Sequence, residues 1–174
     1  MNDKKLNLGC GNKKIPGFAG VDFVKTKAAE IVHDLNKFPY PFPDNSVDEI
    51  LMDNVLEHLD DVIKVMEEVY RICKHGAIIK IFAPYYKSSG AFTDPTHKHF
   101  FTENSFQYFD ENHAYHFYAK ANFKVISKKL IAHKKYKDAR HFLRNLLPGK
   151  KILNNFLFNI YDEIYFKLQC VKNK

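Results

Sequence analysis

Tryptophan is absent from this chain of 174 residues, and cysteine occurs only three times. Cys10, Cys73 and Cys170 are far apart and odd in number, so we expect free thiols in a reducing compartment rather than a disulfide framework or a metal-spaced pair. No apolar run reaches the ~18 residues of a membrane span, and no apolar segment of the signal-peptide kind follows Met1. These absences predict a cytoplasmic protein with no membrane span.

Acidic residues are scarce in one part of the chain. Residues 120–151 contain eleven lysines and arginines and a single acid, Asp138, so this segment carries a charge of +10 while the rest of the chain sums to −3. A local positive field favours an anionic partner such as phosphate, nucleic acid or an acidic lipid surface. The alternative interpretation is a solvated basic face that has no partner.

Strand-like and helix-like segments alternate in the first half of the chain. The segments with the pattern of β-strands are 5–8, 17–22, 31–35, 47–52 and 77–83. Before the last of them, apolar residues from Val62 to Ile72 recur at helical spacing, which predicts an amphipathic helix from about Asp60 to a left-handed glycine, Gly76. Strands that alternate with helical segments favour an α/β fold with a parallel sheet.

The last third of the chain has a different pattern. Two further strands are predicted at 123–131 and 163–171, and two short amphipathic helices between them are separated by Pro148 and Gly149. We expect the apolar stripes of these helices to pack into the core rather than form a surface for lipid or a partner. The prediction is a single domain over residues 1–174, with a helical insertion at 134–160 between the last two strands.

Glycines and polar residues follow the ends of the predicted strands. Gly9 and Gly11 follow the first strand, and glycines at this spacing let a ligand approach the backbone closely. Asp22 ends the second strand, where a carboxylate can accept hydrogen bonds from the two hydroxyls of a ribose, or can cap a turn. Because open α/β sheets bind ligands at the carboxyl ends of their strands, these residues indicate a ligand site there.

Three segments resemble motifs of the class I S-adenosylmethionine-dependent methyltransferases, and the resemblance covers about residues 4–106. They are Leu6-Asn7-Leu8-Gly9-Cys10-Gly11, Phe42-Pro43-Asp44-Asn45-Ser46-Val47-Asp48 and Val55-Leu56-Glu57-His58-Leu59. With the alternation above, the resemblance implies a Rossmann-like, doubly wound sheet of seven mostly parallel strands, the last of them antiparallel. Pro16 and Gly17 interrupt the short link between the first two strands, so we expect the first helix to be reduced to a turn.

The resemblance implies S-adenosyl-L-methionine as cofactor and S-adenosyl-L-homocysteine as its product. A nicotinamide cofactor is disfavoured because the third glycine of the dinucleotide fingerprint is missing and Asp22 comes too early. In the family the glycine-rich loop holds the methionine end, the acid after the second strand holds the ribose, and the third strand ends beside the adenine. The implied cofactor-binding residues are Asn7, Gly9, Cys10, Gly11, Asp22, Phe23, Asp34, Leu35, Asn54, Val55 and His58.

The long segment after the fifth strand leaves the sheet at the same edge, and functional residues are frequent in such loops. Asp94, His97 and His99 are therefore the candidate catalytic residues, because one of them can act as general base for an acceptor that must lose a proton. Alternatively, residues 94–97 form a hydrogen-bonded turn that fixes the loop. We expect no metal site from this trio because a fourth ligand is not evident.

The function predicted from the sequence is methyl transfer from S-adenosylmethionine to a small-molecule or sugar-type acceptor, expected to be anionic. One alternative is an RNA or nucleotide methyltransferase that uses the basic segment 120–151 as a phosphate track. That alternative is less favoured because no separate RNA-binding module is evident. The other alternative is a non-catalytic protein that binds S-adenosylmethionine.

Overall fold

The computed structural model describes residues 4–133 and 139–172, apart from the side chains of 139–142. In this part of the chain, seven strands form one sheet in the order β3-β2-β1-β4-β5-β7-β6. Neighbouring strands are parallel except that β7 runs antiparallel to both β5 and β6. The predicted α/β fold, with its antiparallel last strand, is therefore confirmed. The strands are β1 (Lys5–Leu8), β2 (Ala19–Asp22), β3 (Ala29–Val32), β4 (Val47–Asp53), β5 (Cys73–Pro84), β6 (Phe123–Ile131) and β7 (Glu163–Cys170).

The link between β1 and β2 contains turns and no helix, which confirms the reduced first crossover. The segments from β2 to β3 and from β3 to β4 are likewise irregular. Among the described residues, the longest crossover helix is α1 (Val62–Ile72), between β4 and β5. The edge of the sheet near β3 therefore has little helical cover, and Val32 on that strand is exposed.

Helix α1 shows how the sequence pattern produces the packing. Asp61 caps the helix, because its side chain accepts a hydrogen bond of 3.0 Å from the backbone N–H of Lys64. The buried residues of the helix recur at the expected helical spacing: Val65, Met66, Val69 and Ile72. They contribute to one core with the inward side chains of the sheet, such as Leu6, Ile50 and Ile79.

The predicted end of α1 at Gly76 is wrong. The helix ends at Ile72, and Cys73 is already paired with Val47 as the first residue of β5. Gly76 does take the left-handed conformation, with φ +82°, but it does so inside the long strand β5. Cys73 and Ala77 are both buried, whereas Lys74 and His75 between them are exposed, and the register between β4 and β5 shifts at this point, so the left-handed glycine lies in an irregularity of β5 and not at the end of the helix.

Two further helices precede β7: α3 (Ala139–Leu146) and α4 (Lys150–Phe156). The prediction that their apolar stripes pack into the core is wrong, because Leu143, Leu146, Ile152 and Phe156 are exposed, Phe156 by 81%. Among the described side chains of these helices, from Leu143 onward, the buried ones are polar. Arg144 forms a bidentate ion pair with Asp162, at 2.7 and 2.8 Å, and Asn154 donates to the Tyr85 hydroxyl at 2.9 Å.

The remaining helices are short. Helix α2 (Gly90–Thr93) follows β5, and 3₁₀ helices cover Leu56–His58, Ser105–Phe109 and His116–Tyr118. No helix in the described ranges has the length and apolarity needed to cross a membrane. The carboxyl ends of β1, β2, β4 and β5 meet at one edge of the sheet, and the first 3₁₀ helix and α2 follow that edge.

Candidate functional site

A cavity of about 560 Å³ lies at the carboxyl ends of β1, β2 and β4. Its volume is in the range of pockets that enclose small ligands and cofactors. Nine of the eleven predicted cofactor residues line it: Gly9, Gly11, Asp22, Phe23, Asp34, Leu35, Asn54, Val55 and His58. The other two, Asn7 and Cys10, are buried and absent from this lining.

Glycine stands at positions 9 and 11 of the first loop for different physical reasons. Gly9 has φ +69°, and a Cβ there would lie 2.3 Å from Cγ2 of Val55, so the close approach of the segment after β4 requires glycine. Gly11 also has a positive φ, of +50°, but a Cβ there would meet no atom within 4 Å. Gly11 therefore leaves open space that a ligand can approach, whereas Gly9 is needed for packing.

The strand-end acids are already hydrogen-bonded to nearby backbone. Asp22 accepts from the N–H of Gly11 at 2.7 Å and from the N–H of Val24 at 3.1 Å. Asp34 accepts from the N–H of Asn36 at 3.0 Å, as in an Asx turn. A carboxylate has about four acceptor positions, so Asp22 can shape the loop and still accept from a ligand. The carboxylate of Asp22 faces a cavity that also contains the exposed ring of Phe23.

A second cleft, of about 620 Å³, adjoins this cavity on the side of β5. Asn54 and His58 line both spaces, so the cavity and the cleft meet at these two residues. Asn54 is held in the left-handed conformation, with φ 53°, and its side chain donates to Asp53 and to Glu163 on β7. The cleft is walled on its other side by α2 and the loop that follows it.

Of the three predicted catalytic residues, Asp94 and His97 line this cleft. His99 is absent from the lining, and its Nε2 is 2.9 Å from the carbonyl oxygen of Leu59. The backbone N–H groups of Lys98 and His99 both donate to the carbonyl of Glu57, which docks the loop onto the first 3₁₀ helix. Asp94 accepts from the backbone and hydroxyl of Thr96, and these hydrogen bonds hold the pKa of Asp94 below its usual value.

Comparison with known proteins finds a similarity to one family over part of the chain. A family model described as a methyltransferase domain matches residues 17–81, across β2, β3, β4, α1 and most of β5. Over this part of the chain the protein is similar to methyltransferase domains. A search of the curated proteins found no match.

Solved structures share the fold of this chain at low sequence identity. A methyltransferase from Archaeoglobus fulgidus is 18% identical, with a TM-score of 0.61 over 96% of this chain and 86% of that one. A chain from the complex of the Haloferax volcanii Trm112 methyltransferase activator with a methyltransferase is 14% identical, with a TM-score of 0.65 over 99% and 84%. A phosphoethanolamine N-methyltransferase of Haemonchus contortus, solved with S-adenosylhomocysteine, is 13% identical, with a TM-score of 0.59 over 99% and 49%.

Sequence reasoning did not predict Glu57 as a candidate site residue. The side chain is 1% exposed and lines the second cleft, and neither carboxylate oxygen has a hydrogen-bond partner among the described residues. Burial raises the pKa of Glu57 to about 7. The only sequence signal is its place in the segment Val55-Leu56-Glu57-His58-Leu59, next to His58, which is a predicted cofactor-binding residue. Its burial depends on the loop around His97, which lies 40 residues away in the sequence.

Glu57, His58 and His97 form one cluster at the junction of the cofactor cavity and the cleft. One oxygen of Glu57 and one ring nitrogen of each histidine lie within 4.8 Å of one another. The two imidazole rings are edge to face, with their centroids 4.7 Å apart. Burial, and then the charge of His97, lowers the pKa of His58, which favours a neutral imidazole there.

The described lysines and arginines of the basic segment 120–151 lie outside the lining of both spaces, whereas His133 of that segment lines a neighbouring pocket together with Asn54 and Glu163. Residues 134–138 fall outside the described ranges, and none of the described residues of the segment lines the cofactor cavity or the second cleft. Arg144 is buried in its ion pair with Asp162, and Lys128 on the edge strand β6 donates to Glu103 and Asn104. These two cations therefore have structural partners, and a nucleic-acid partner for the segment stays a prediction.

Proposed function

We propose that this protein is a methyltransferase that uses S-adenosylmethionine bound in the cavity. The methyl group is transferred to an oxygen or nitrogen atom of a small acceptor held in the adjoining cleft. The observation that carries the proposal is the junction of the two spaces, where Asn54 and His58 line both. Methyl transfer needs a donor and an acceptor side by side in aligned positions, and two adjoining spaces meet that need.

The cofactor cavity fits the proposed ligand. The open space at Gly11 suits the methionine end, which makes Gly9, Cys10 and Gly11 the proposed loop for it. Asp22 keeps acceptor capacity for the ribose hydroxyls, and Asp34 with Leu35 lies where the adenine is proposed. The roles proposed for the buried Asn7 and Cys10 are indirect, beneath this loop.

The chemistry asks the protein to align the acceptor and to take up a proton. The cofactor supplies a methyl group made electrophilic by its sulfonium, and S-adenosylhomocysteine remains after the acceptor lone pair has formed the new bond to carbon. His97 is the proposed proton acceptor. Its Nδ1 donates a hydrogen bond to the carbonyl oxygen of Ala91, so its Nε2 remains as the proton-accepting atom for a group in the cleft. Asp94 is the proposed orienting residue, and it acts on His58 through Thr96.

The charged residues of the cleft bear on the charge of the acceptor that it can bind. Its lining contains the acids Glu57 and Asp94, and the only lysine of the loop that follows α2, Lys98, is paired with Asp60 on the outside. These charges do not support the expected anionic character of the acceptor. A sugar-type acceptor with a free hydroxyl remains the proposal, since such a group must lose a proton during methylation.

Two measurements test the proposed function. Isothermal titration should show binding of S-adenosylmethionine and S-adenosylhomocysteine, and far weaker binding of NAD. Comparable NAD binding would overturn the cofactor assignment. Release of S-adenosylhomocysteine should then be followed over a panel of sugars and hydroxylated acids, with His97→Ala expected to lower turnover without changing cofactor affinity. His75→Ala, at an exposed histidine on β5, is the matched control, and equal turnover in the two variants would contradict the role of His97.

A further inference from the structure

The carboxylate of Glu57 is a charged group without a counter-ion in hydrogen-bond reach. Both of its oxygens are inaccessible to solvent, and neither has a hydrogen-bond partner among the described residues. A buried carboxylate is costly unless it is paired, hydrogen-bonded or bound to a metal. No described side chain therefore offsets this carboxylate by direct contact.

The two histidines beside Glu57 present their Nε2 atoms without a proton. Nδ1 of His97 is 2.8 Å from the carbonyl oxygen of Ala91, and a carbonyl only accepts, so this nitrogen carries the proton. Nδ1 of His58 is 2.8 Å from the hydroxyl of Thr96, and that hydroxyl gives its own proton to Asp94. His58 must therefore donate through Nδ1 as well, which leaves an Nε2 lone pair on each neutral ring.

We propose that Glu57, His58 and His97 bind one divalent transition-metal ion, such as zinc, at the junction of the cofactor cavity and the cleft. Two histidines and a carboxylate are the protein ligands of catalytic metal sites that keep an open position. The donor atoms lie within 4.8 Å of one another, and ligand bonds of about 2.0–2.2 Å require them to move inward by roughly 1 Å. The hydrogen bonds of the two Nδ1 atoms are the outer contacts that orient histidine ligands in such sites.

The proposed ion changes what the cleft can bind. It neutralises the acids of the lining and offers its open positions to oxygen atoms of an acceptor, including an anionic one. A hydroxyl bound there loses its proton more easily, so the ion takes over the role that His97 has in the metal-free protein. This consequence rests on the proposed function, whereas the metal site itself rests only on the geometry of the three side chains.

The test measures metal binding directly. The full chain, stripped with EDTA and dialysed, is titrated with zinc alone in a calorimeter, and we expect one site per chain with a dissociation constant in the micromolar range or tighter. Glu57→Gln and His97→Gln should each weaken binding more than about 100-fold, because loss of outer contacts alone costs about 10–100-fold. His99→Gln is the matched control from the same loop and should bind zinc like the wild type, since its Nε2 contacts the Leu59 carbonyl. Thermal unfolding of each variant checks that it is folded.

The outcomes separate this proposal from the proposed function. Cobalt added in place of zinc should give visible bands of a nitrogen and oxygen site, and bands from thiolate ligands would overturn the assignment by placing the ion at a cysteine. Wild type that binds no stoichiometric zinc, or folded variants that bind it normally, would also overturn it. S-adenosylmethionine is titrated into the same samples. Zinc binding without cofactor binding would defeat the proposed function alone, and cofactor binding without zinc would defeat the metal site alone.

Discussion

The cofactor cavity and the acceptor cleft share one edge of the sheet but are built in different ways. In the cavity, polar side chains bond to backbone close by in the sequence, as Asp22 does with Gly11 and Val24. In the cleft, Glu57 and His58 meet a loop 40 residues away, and the carboxylate of Glu57 is left unpaired among the described residues. The comparison suggests that the first space is preorganised by local contacts, while the second depends on tertiary packing and on a group that it must bind.

The largest effect on this comparison is expected from Gly9→Ala. The new methyl group would lie 2.3 Å from Val55 in a backbone with φ +69°, so about 3 kcal/mol of stability should be lost through strain and overpacking. Gly11→Ala is the matched variant, with positive φ but open space around the new atom, and it should cost only about 1–2 kcal/mol. Urea unfolding measures both.

The same pair of variants tests the ligand side of the cavity. Gly11→Ala should remain folded and bind S-adenosylmethionine at least ten times more weakly, because the added methyl group occupies space proposed for the cofactor. If Gly11→Ala binds as well as wild type, or if Gly9→Ala is as stable as wild type, the different roles given to the two glycines are wrong.

The next largest effect is expected for Glu57→Gln, which should change how the free energy of unfolding depends on pH. The measurement is made in EDTA. The pKa of Glu57 rises from 4.5 to about 7 on folding, so between these values the native state holds more protons than the unfolded state and stability falls as pH rises. The shift corresponds to a loss of about 3 kcal/mol between pH 4 and pH 8 as an upper bound. Glutamine removes it, so the variant should be more stable than wild type at pH 8 and similar at pH 4.

Chemical unfolding at several pH values checks this, with Glu30→Gln at an exposed position of β3 as control. A wild-type profile that has the same slope as Glu57→Gln would show that Glu57 is not held in a desolvated position. The two halves of the site would then differ less than the structure indicates.

The cofactor half could be predicted from the sequence because its residues follow strand ends. Once the strands ending at Leu8, Asp22 and Asp53 are placed in a parallel sheet, their carboxyl ends meet, and a resemblance to family motifs identifies the loop. Even there, the reasons given to Gly9 and Gly11 could not be separated, since the contact of Gly9 with Val55 is a tertiary one.

The packing of α4 and the burial of Glu57 depend on tertiary contacts that the periodicity of the sequence does not predict. The apolar stripes of α1 and α4 look alike in sequence, but α1 packs on the sheet while α4 buries Asn154 and exposes Ile152 and Phe156. A stripe indicates which residues could pack together and does not say that a partner surface within the chain is available. Glu57 was missed for a related reason, since a carboxylate gains functional interest only when burial deprives it of partners.

A moderate effect is expected from Asp22→Ala. The change removes an ionised acceptor from the N–H groups of Gly11 and Val24, so about 1–3 kcal/mol of stability should be lost together with the order of the loop. Affinity for S-adenosylmethionine should fall about 5- to 150-fold if the same carboxylate also holds the ribose. Asp22→Asn, which keeps one oxygen acceptor, is the control, and its stability and cofactor affinity should lie between those of wild type and Asp22→Ala. Calorimetric affinity unchanged in folded Asp22→Ala would restrict Asp22 to its role in the turn.

The smallest effect is expected from Thr96→Val, which tests how the cleft orients its histidines. The hydroxyl of Thr96 accepts from His58 and donates to Asp94, and it is exposed, so its removal should cost no more than about 1 kcal/mol of stability. The informative readout is the tautomer of His58, measured from ¹⁵N chemical shifts of the ring. Wild type should carry the proton on Nδ1, whereas the variant should populate the Nε2–H form, because no acceptor then favours Nδ1. His97 should keep its Nδ1 proton in both proteins, since its partner is the carbonyl of Ala91. A His58 ring with the same shifts in both proteins would mean that Thr96 and Asp94 do not set its protonation. The orientation of His58 would then come from packing and from the backbone hydrogen bonds that dock the loop onto Glu57.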